Sequence, residues 1–180
     1  MMVSSAQPHL VFMGVAGCGK SSLGAMVARE MSMHLVEGDD FHSAANRQKM
    51  MQGIALNDAD RADWLQALGE QLQAASSPVA LTCSALKRHY RARLRAAAPG
   101  LLFVFLDLSA QHALQRVAAR NAHFFNPSLV SSQFHALESP VDEPGVLRVN
   151  ATDPLPLLCK RVVSWLYAGA QSGALASPDS

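Results

Sequence analysis

Gly14-Val15-Ala16-Gly17-Cys18-Gly19-Lys20-Ser21 decides how the rest of the chain is read. These residues satisfy GxxxxGK[ST] at every required position. Just upstream, residues 10–13 form a short apolar run of strand length. Just downstream, Leu23, Val27 and Met31 recur four apart, the spacing of one helix face. A glycine-rich turn between strand and helix lets backbone N–H groups curl inward, and the helix N-terminus adds partial positive charge. The stretch therefore predicts a phosphate cradle formed by Gly14, Val15, Ala16, Gly17, Cys18 and Gly19. Lys20 supplies a full charge to the β/γ-phosphates of a nucleotide such as ATP, and Ser21 Oγ suits Mg²⁺. Cys18 sits among those amides, which stabilise a thiolate, so alkylation that ATP–Mg blocks is expected there.

Outward from the loop, strand-like runs recur at 34–36, 79–83, 101–106 and 146–149. Helical stretches fall between them, near 44–51, after Asn57-Asp58 (carrying Trp64, Leu65, Leu68 and Leu72), and over 87–98, 109–120, 127–138 and 155–166. Strands alternating with helices predict an α/β fold, a P-loop domain with a five-stranded parallel sheet covered on both faces. The 101–106 run is apolar throughout, as a strand buried on both faces must be. We expect one domain over 1–180, with a core at 9–168, a small mobile lid near 116–138, and flexible ends at 1–8 and 169–180.

The chain has 180 residues; 49% are apolar and 16% charged, a balance that excludes disorder. Fifteen Lys and Arg against fourteen Asp and Glu leave a net +1, too little for a nucleic-acid binder. Cys18, Cys83 and Cys159 form no CxxC pair, so neither zinc nor a disulfide framework is expected. The N-terminus does not read as a signal peptide and no run spans a bilayer, so a cytoplasmic protein without membrane contact is expected. No NKxD motif marks a GTPase, and AAA-type and ABC-type motors are much larger. The size is that of a small-molecule or nucleotide kinase.

Four further clusters lie where such a kinase needs its acceptor site. They are Glu37-Gly38-Asp39-Asp40-Phe41-His42 with Asn46 and Lys49-Met50; Leu56-Asn57-Asp58-Ala59-Asp60-Arg61 with Trp64-Leu65; Cys83-Ser84-Ala85-Leu86-Lys87-Arg88-His89-Tyr90-Arg91; and Arg116-x3-Arg120-Asn121-Ala122-His123-Phe124-Phe125, leading to Ser132-Gln133-Phe134 and Leu137-Glu138. In order, from about 11 to 166, these resemble the gluconate kinase family, whose members use ATP to phosphorylate D-gluconate at O6. CSALK and HFxxxxLxxSQFxxLE are the more specific signals, since many families share the P-loop. Ala16 and Cys18 replace the usual loop serines, Ser43 and Ala55 replace prolines, and Ala122 replaces a glycine. The resemblance also implies a possible homodimer. The rival readings are a shikimate-like or nucleotide kinase, and a nucleotide-binding regulator that has lost turnover.

The chemistry assigns provisional roles. Asp39, just past the second strand, lies at the edge where open α/β sheets bind ligands, and the resemblance places it in the family's GDxxH. It is the expected base that orients the acceptor hydroxyl, with Lys20 and Arg120 completing the catalytic set. Glu37 or Asp40 is expected to hold Mg²⁺-bound water. The anionic end of gluconate wants a guanidinium, for which Arg61, Lys87 and Arg91 are candidates, with His42 and Asn57 or Asp58 for hydroxyls. Arg93 and Arg95 read as a solvated helix face, and Asp58 and Asp60 as either helix caps or partners of Arg61. If the helix continues, Arg116, Arg120 and His123 share one side, Arg116 for ATP and His123 for the substrate. Asp107 reads as a cap or loop residue, and Trp64 and Trp165 as helix anchors.

Overall fold

Strand β1, Leu10–Met13, is buried along its whole length because its alternate residues feed two different cores. Leu10 and Phe12 join one with Leu23, Val27, Leu158 and Val162; Val11 and Met13 join the other with Trp64, Leu68, Tyr90 and Leu94. In this computed structural model, residues 7–120 and 126–174 are described. After β1 come α1 (Lys20–Glu30), β2 (His34–Glu37), a 3₁₀ turn (Gly38–Phe41), α2 (Ala44–Met51), α3 (Asp58–Ala74) and β3 (Val79–Thr82). Then follow α4 (Arg88–Ala97), β4 (Leu102–Asp107), α5 (Ala110–Ala119), α6 (Leu129–Ala136), β5 (Val146–Asn150) and α7 (Leu155–Ala174).

The sheet runs β2-β3-β1-β4-β5 with every neighbouring pair parallel. This is the expected five-stranded P-loop architecture. All five strands end at one edge, so the phosphate loop emerges at the centre, between the ends of β3 and β4. In β4, Val104 and Leu106 face one core while Phe103 and Phe105 face the other, which is why no polar residue precedes Asp107 at its end.

Local chemistry explains most boundaries. Asn57 Oδ1 accepts from the Asp60 amide at 2.8 Å and Asp60 Oδ2 accepts from the Asn57 amide at 3.0 Å, a reciprocal capping box that starts α3. Ser109 caps α5 from one side only, its Oγ accepting from the His112 amide at 3.3 Å. β2 extends one residue beyond expectation because Glu37 pairs in register with Thr82.

Three expectations are corrected. Helix α7 continues to Ala174 rather than ending near 166. Helix α5 stops at Ala119, and Arg120 is already extended at φ −83° and ψ 123°, so Arg116 and Arg120 do not share one helix face. Asp107 neither caps a helix nor lies in a loop: it ends β4 and accepts from Arg148 Nε of β5 at 2.9 Å. Within the expected lid span, the described parts are the end of α5 and helix α6; Asn121, Ala122, His123, Phe124 and Phe125 lie outside the described residues. No helix among the described residues is long and apolar enough to cross a membrane.

Candidate active site

The loop closes over its own cysteine. Gly14 has φ +143°, and a Cβ there would stand 2.8 Å from both Cys18 Sγ and the Leu106 carbonyl oxygen, so no side chain fits. Cys18 is correspondingly only 1% exposed. That corrects the expectation of an alkylatable thiol: the sulfur packs beneath the loop, where a reagent does not reach it. Lys20 Nζ donates to the Gly14 and Val15 carbonyls, each at 3.1 Å, which parks its charge at the loop's first turn.

Arg116 braces the loop from outside. Its Nη1 donates to the Gly17 and Cys18 carbonyls at 3.2 and 3.4 Å, and its Nη2 to the Ala151 carbonyl just beyond β5 at 2.9 Å. It does not line the cleft. From α6, Gln133 Oε1 accepts from the Ala16 amide at 2.7 Å.

The acidic wall is built where β2 and β3 end. Glu37 Oε2 accepts from Ser21 Oγ at 2.9 Å and from Thr82 Oγ1 at 2.6 Å, while Thr82 Oγ1 accepts from the Gly38 amide at 3.2 Å. A Cβ on Gly38 would lie 2.1 Å from the Thr82 carbonyl oxygen, so only glycine lets the chain cross β3 this closely. The turn then delivers Asp39 to the cleft with its side chain 68% exposed. Asp40 is also exposed but does not line the cleft; its carbonyl is taken by Arg47 Nη2.

Beneath Asp39 lies an aromatic pair. Trp64 Nε1 donates to the Gly38 carbonyl at 2.8 Å, as befits a helix anchor, and the His42 ring stacks on the indole with centroids 4.3 Å apart. His42 Nε2 lies 3.8 Å from Asp39 Oδ1. Burial, helped by the charges of Arg61 and Arg47, lowers the His42 pKa to about 4, so the ring is neutral at physiological pH. Its Nδ1 is buried without a hydrogen-bond partner among the described residues.

The basic residues divide sharply. The Arg61 guanidinium lies 6.0 Å from the Trp64 ring centroid and 5.6 Å from that of Tyr90, and no hydrogen bond or ion pair holds it among the described residues. It lines both the cleft and an adjoining groove that also takes in Lys87, Tyr90, Ser131 and His135. Lys87 Nζ pairs with Asp58 Oδ1 at 2.8 Å, and the Tyr90 hydroxyl donates to the same oxygen. Those two bonds hold the Asp58 carboxyl below its ordinary range. Asp60 pairs with Lys49 at 2.6 Å, so neither acid partners Arg61. Arg120 is exposed and lines the cleft beside Ser84 and Val117, whereas His123 lies outside the described residues.

Arg91 is a correction. It is fully buried; its Nε donates to both oxygens of Glu143 at 3.0 Å, its Nη1 to the Ala85 and Leu86 carbonyls, and its Nη2 to the Glu138 carbonyl. No donor remains for a substrate. Arg95 is corrected too, since it pairs with Glu143 Oε2 at 2.7 Å and covers the Phe103 ring; Arg93 alone is solvated as expected.

Lys20, Ser21, Asp39, His42, Arg61 and Arg120 thus share one cleft. The sequence reading missed Ser84 and Gln133 there, and Thr82 behind Glu37. Ser84 and Gln133 stood in quoted motifs, but nothing local indicated which way they face.

A family model described as an AAA domain matches residues 10–144. The thermoresistant gluconokinase of Escherichia coli (strain K12) is 40% identical over 160 residues, covering 86% of this chain and 91% of the relative. The chain belongs to the gluconokinase family. The gluconokinase of Gluconobacter oxydans (strain 621H) is 43% identical over 145 residues, with 78% of this chain and 81% of that one covered. A crystal structure of a gluconokinase from Sinorhizobium meliloti 1021 superposes with a TM-score of 0.87 at 39% identity, covering 96% and 98% of the two chains. The Mycobacterium tuberculosis APS kinase CysC, at 20% identity and a TM-score of 0.64, shares the fold. The AAA-domain match covers the gluconokinase core from β1 to the turn before β5. The relatives that span most of the chain are gluconokinases.

Proposed function

We propose that the protein transfers the γ-phosphoryl group of ATP to O6 of D-gluconate, giving 6-phospho-D-gluconate and ADP. The supporting observation is that the phosphate loop, an exposed carboxylate and two guanidinium groups without an ion pair among the described residues face one cleft: Lys20 and Ser21 on one wall, Asp39, Arg61 and Arg120 around it. Phosphoryl transfer needs alignment and charge neutralisation more than covalent chemistry. The loop amides and Lys20 hold the β- and γ-phosphates, the ammonium leaving its resting carbonyls for them. Asp39 accepts a hydrogen bond from the acceptor hydroxyl and takes its proton as the new P–O bond forms. Arg120 meets charge that develops on the transferred group.

Ser21 Oγ, the Glu37 carboxylate and Thr82 Oγ1 form a hard-oxygen cluster suited to Mg²⁺, which binds through few protein ligands and otherwise through water and phosphate. Bound there, Mg²⁺ would neutralise charge on the β- and γ-oxygens. At the acceptor side, Arg61 joins the cleft to the serine-lined groove. An extended sugar acid with its alcohol at Asp39 has its carboxylate toward Arg61 and Lys87. Neutral His42 serves a hydroxyl between them. Dependence on ATP supports the reading of a cytoplasmic reaction.

A coupled ADP-release assay with gluconate, shikimate, AMP and other sugar acids tests the reading. Turnover restricted to gluconate is expected; activity with shikimate or AMP and none with gluconate would reject it, and tight ATP binding without any turnover would favour a regulator.

A further inference from the structure

The geometry points to Gln133 as a further catalytic residue, one whose side-chain amide donates a hydrogen bond to the γ-phosphoryl group; this rests on reading the cleft as a triphosphate site. A backbone N–H can only donate, so the atom facing the Ala16 amide at 2.7 Å must be the Gln133 oxygen. Fixing Oε1 leaves Nε2, a donor with no acceptor capacity, without a hydrogen-bond partner among the described residues. Gln133 also lines the cleft with Lys20, Asp39 and Arg120.

The position along the phosphates follows from the loop itself. Lys20 Nζ rests on the Gly14 and Val15 carbonyls, immediately before Ala16. The lysine of this loop serves the β/γ end of the nucleotide, while the amides of the following residues cradle the phosphates nearer the nucleoside. The Ala16 amide, and the glutamine tied to it, therefore stand at the transferred end. A neutral donor there adds hydrogen bonding to a γ-oxygen without competing with the charges of Lys20 and Arg120. Helix α6 holds the residue at a loop amide 117 positions away in sequence.

The test measures ATP–Mg and ADP–Mg affinities of the full chain by titration calorimetry, with no acceptor present, for wild type, Gln133→Glu and Gln133→Ala. Gln133→Glu keeps an oxygen for the Ala16 amide but replaces the donor with an anionic oxygen. Expected is a loss of about 10-fold or more in ATP affinity for both variants, larger for glutamate, as for a hydrogen bond to a charged group. ADP affinity stays within about two-fold, because ADP lacks the contacted group and reports an intact loop. Equal losses for ATP and ADP would reduce Gln133 to a brace for the loop and overturn the inference, as would unchanged affinities. Tighter ATP binding by Gln133→Ala would also overturn it, showing that the phosphoryl group displaces the side chain. Because no sugar acid is used, failure here is separate from failure of the gluconate reading.

Discussion

Arg61 and Arg91 had the same claim on a sugar-acid carboxylate, and the fold sends them to opposite fates. Arg91 is wholly buried, with Glu143 and three backbone carbonyls consuming its donors. Arg61 lies over two aromatic rings, and no carboxylate is paired with it among the described residues. The acids divide the same way. Glu143, whose side chain is 4% exposed, is met by Arg88, Arg91 and Arg95, whereas Asp39 is 68% exposed in the cleft. Burial alone would raise the Glu143 carboxyl, yet hydrogen bonds from Arg91 and Arg95 bring it below its ordinary value. A buried, saturated charge pair organises the chain; an open charge waits for a ligand. The first fastens the segment after α6 to the start of α4, and the second equips the site.

The sharpest way to break this contrast is Glu143→Ala, which strands Arg91 as an unpaired buried cation. Chemical denaturation should show a loss of about 3–5 kcal/mol. A variant that unfolds at the wild-type denaturant concentration would mean the pair is not structural. Asp39→Asn should do the reverse: kcat falls about 10²–10⁴-fold while the unfolding midpoint and ATP affinity hold, since the group lost is a proton acceptor in an open cleft. Near-normal kcat would remove Asp39 from the role of base.

Arg61→Ala should raise KM for gluconate or lower kcat/KM by about 10–100-fold, the scale of one charge-assisted bond, leaving KM for ATP unchanged. An equal effect on ATP would place Arg61 on the nucleotide instead. His42 sets the smallest effect. Its folded pKa of about 4 lies below its unfolded value of 6.5, so the unfolded chain binds more protons between them. Stability should therefore fall as pH drops from about 6.5 toward 4, by something on the order of 2 kcal/mol. Comparing thermal melts of wild type and His42→Gln across that range isolates it; parallel curves would show that His42 is not the titrating group.

Much of the fold was legible because its signals are local. The Gly14–Ser21 loop, the alternation of strands with helices and the Asn57 cap each depend on residues within a few positions of one another. Where two local tendencies compete, the reading slipped. The tail reads as loose by its glycines and serines, whereas α7 runs on to Ala174. At the site, residue types were identified more readily than orientations. Cys18 was placed correctly in the loop, yet its exposure depends on Gly14 and Leu106 around it.

Sequence alone settled the loop chemistry, the α/β class, the kinase family and the set of charged residues from which a site could be drawn. Tertiary structure decided which of those charges are spent. Gln133 meets Ala16, Thr82 meets Glu37 and Glu143 meets Arg91 across 117, 45 and 52 positions of chain. Such partners leave no periodic trace, because hydrogen bonding and desolvation act between atoms brought close by folding, whatever their separation along the backbone.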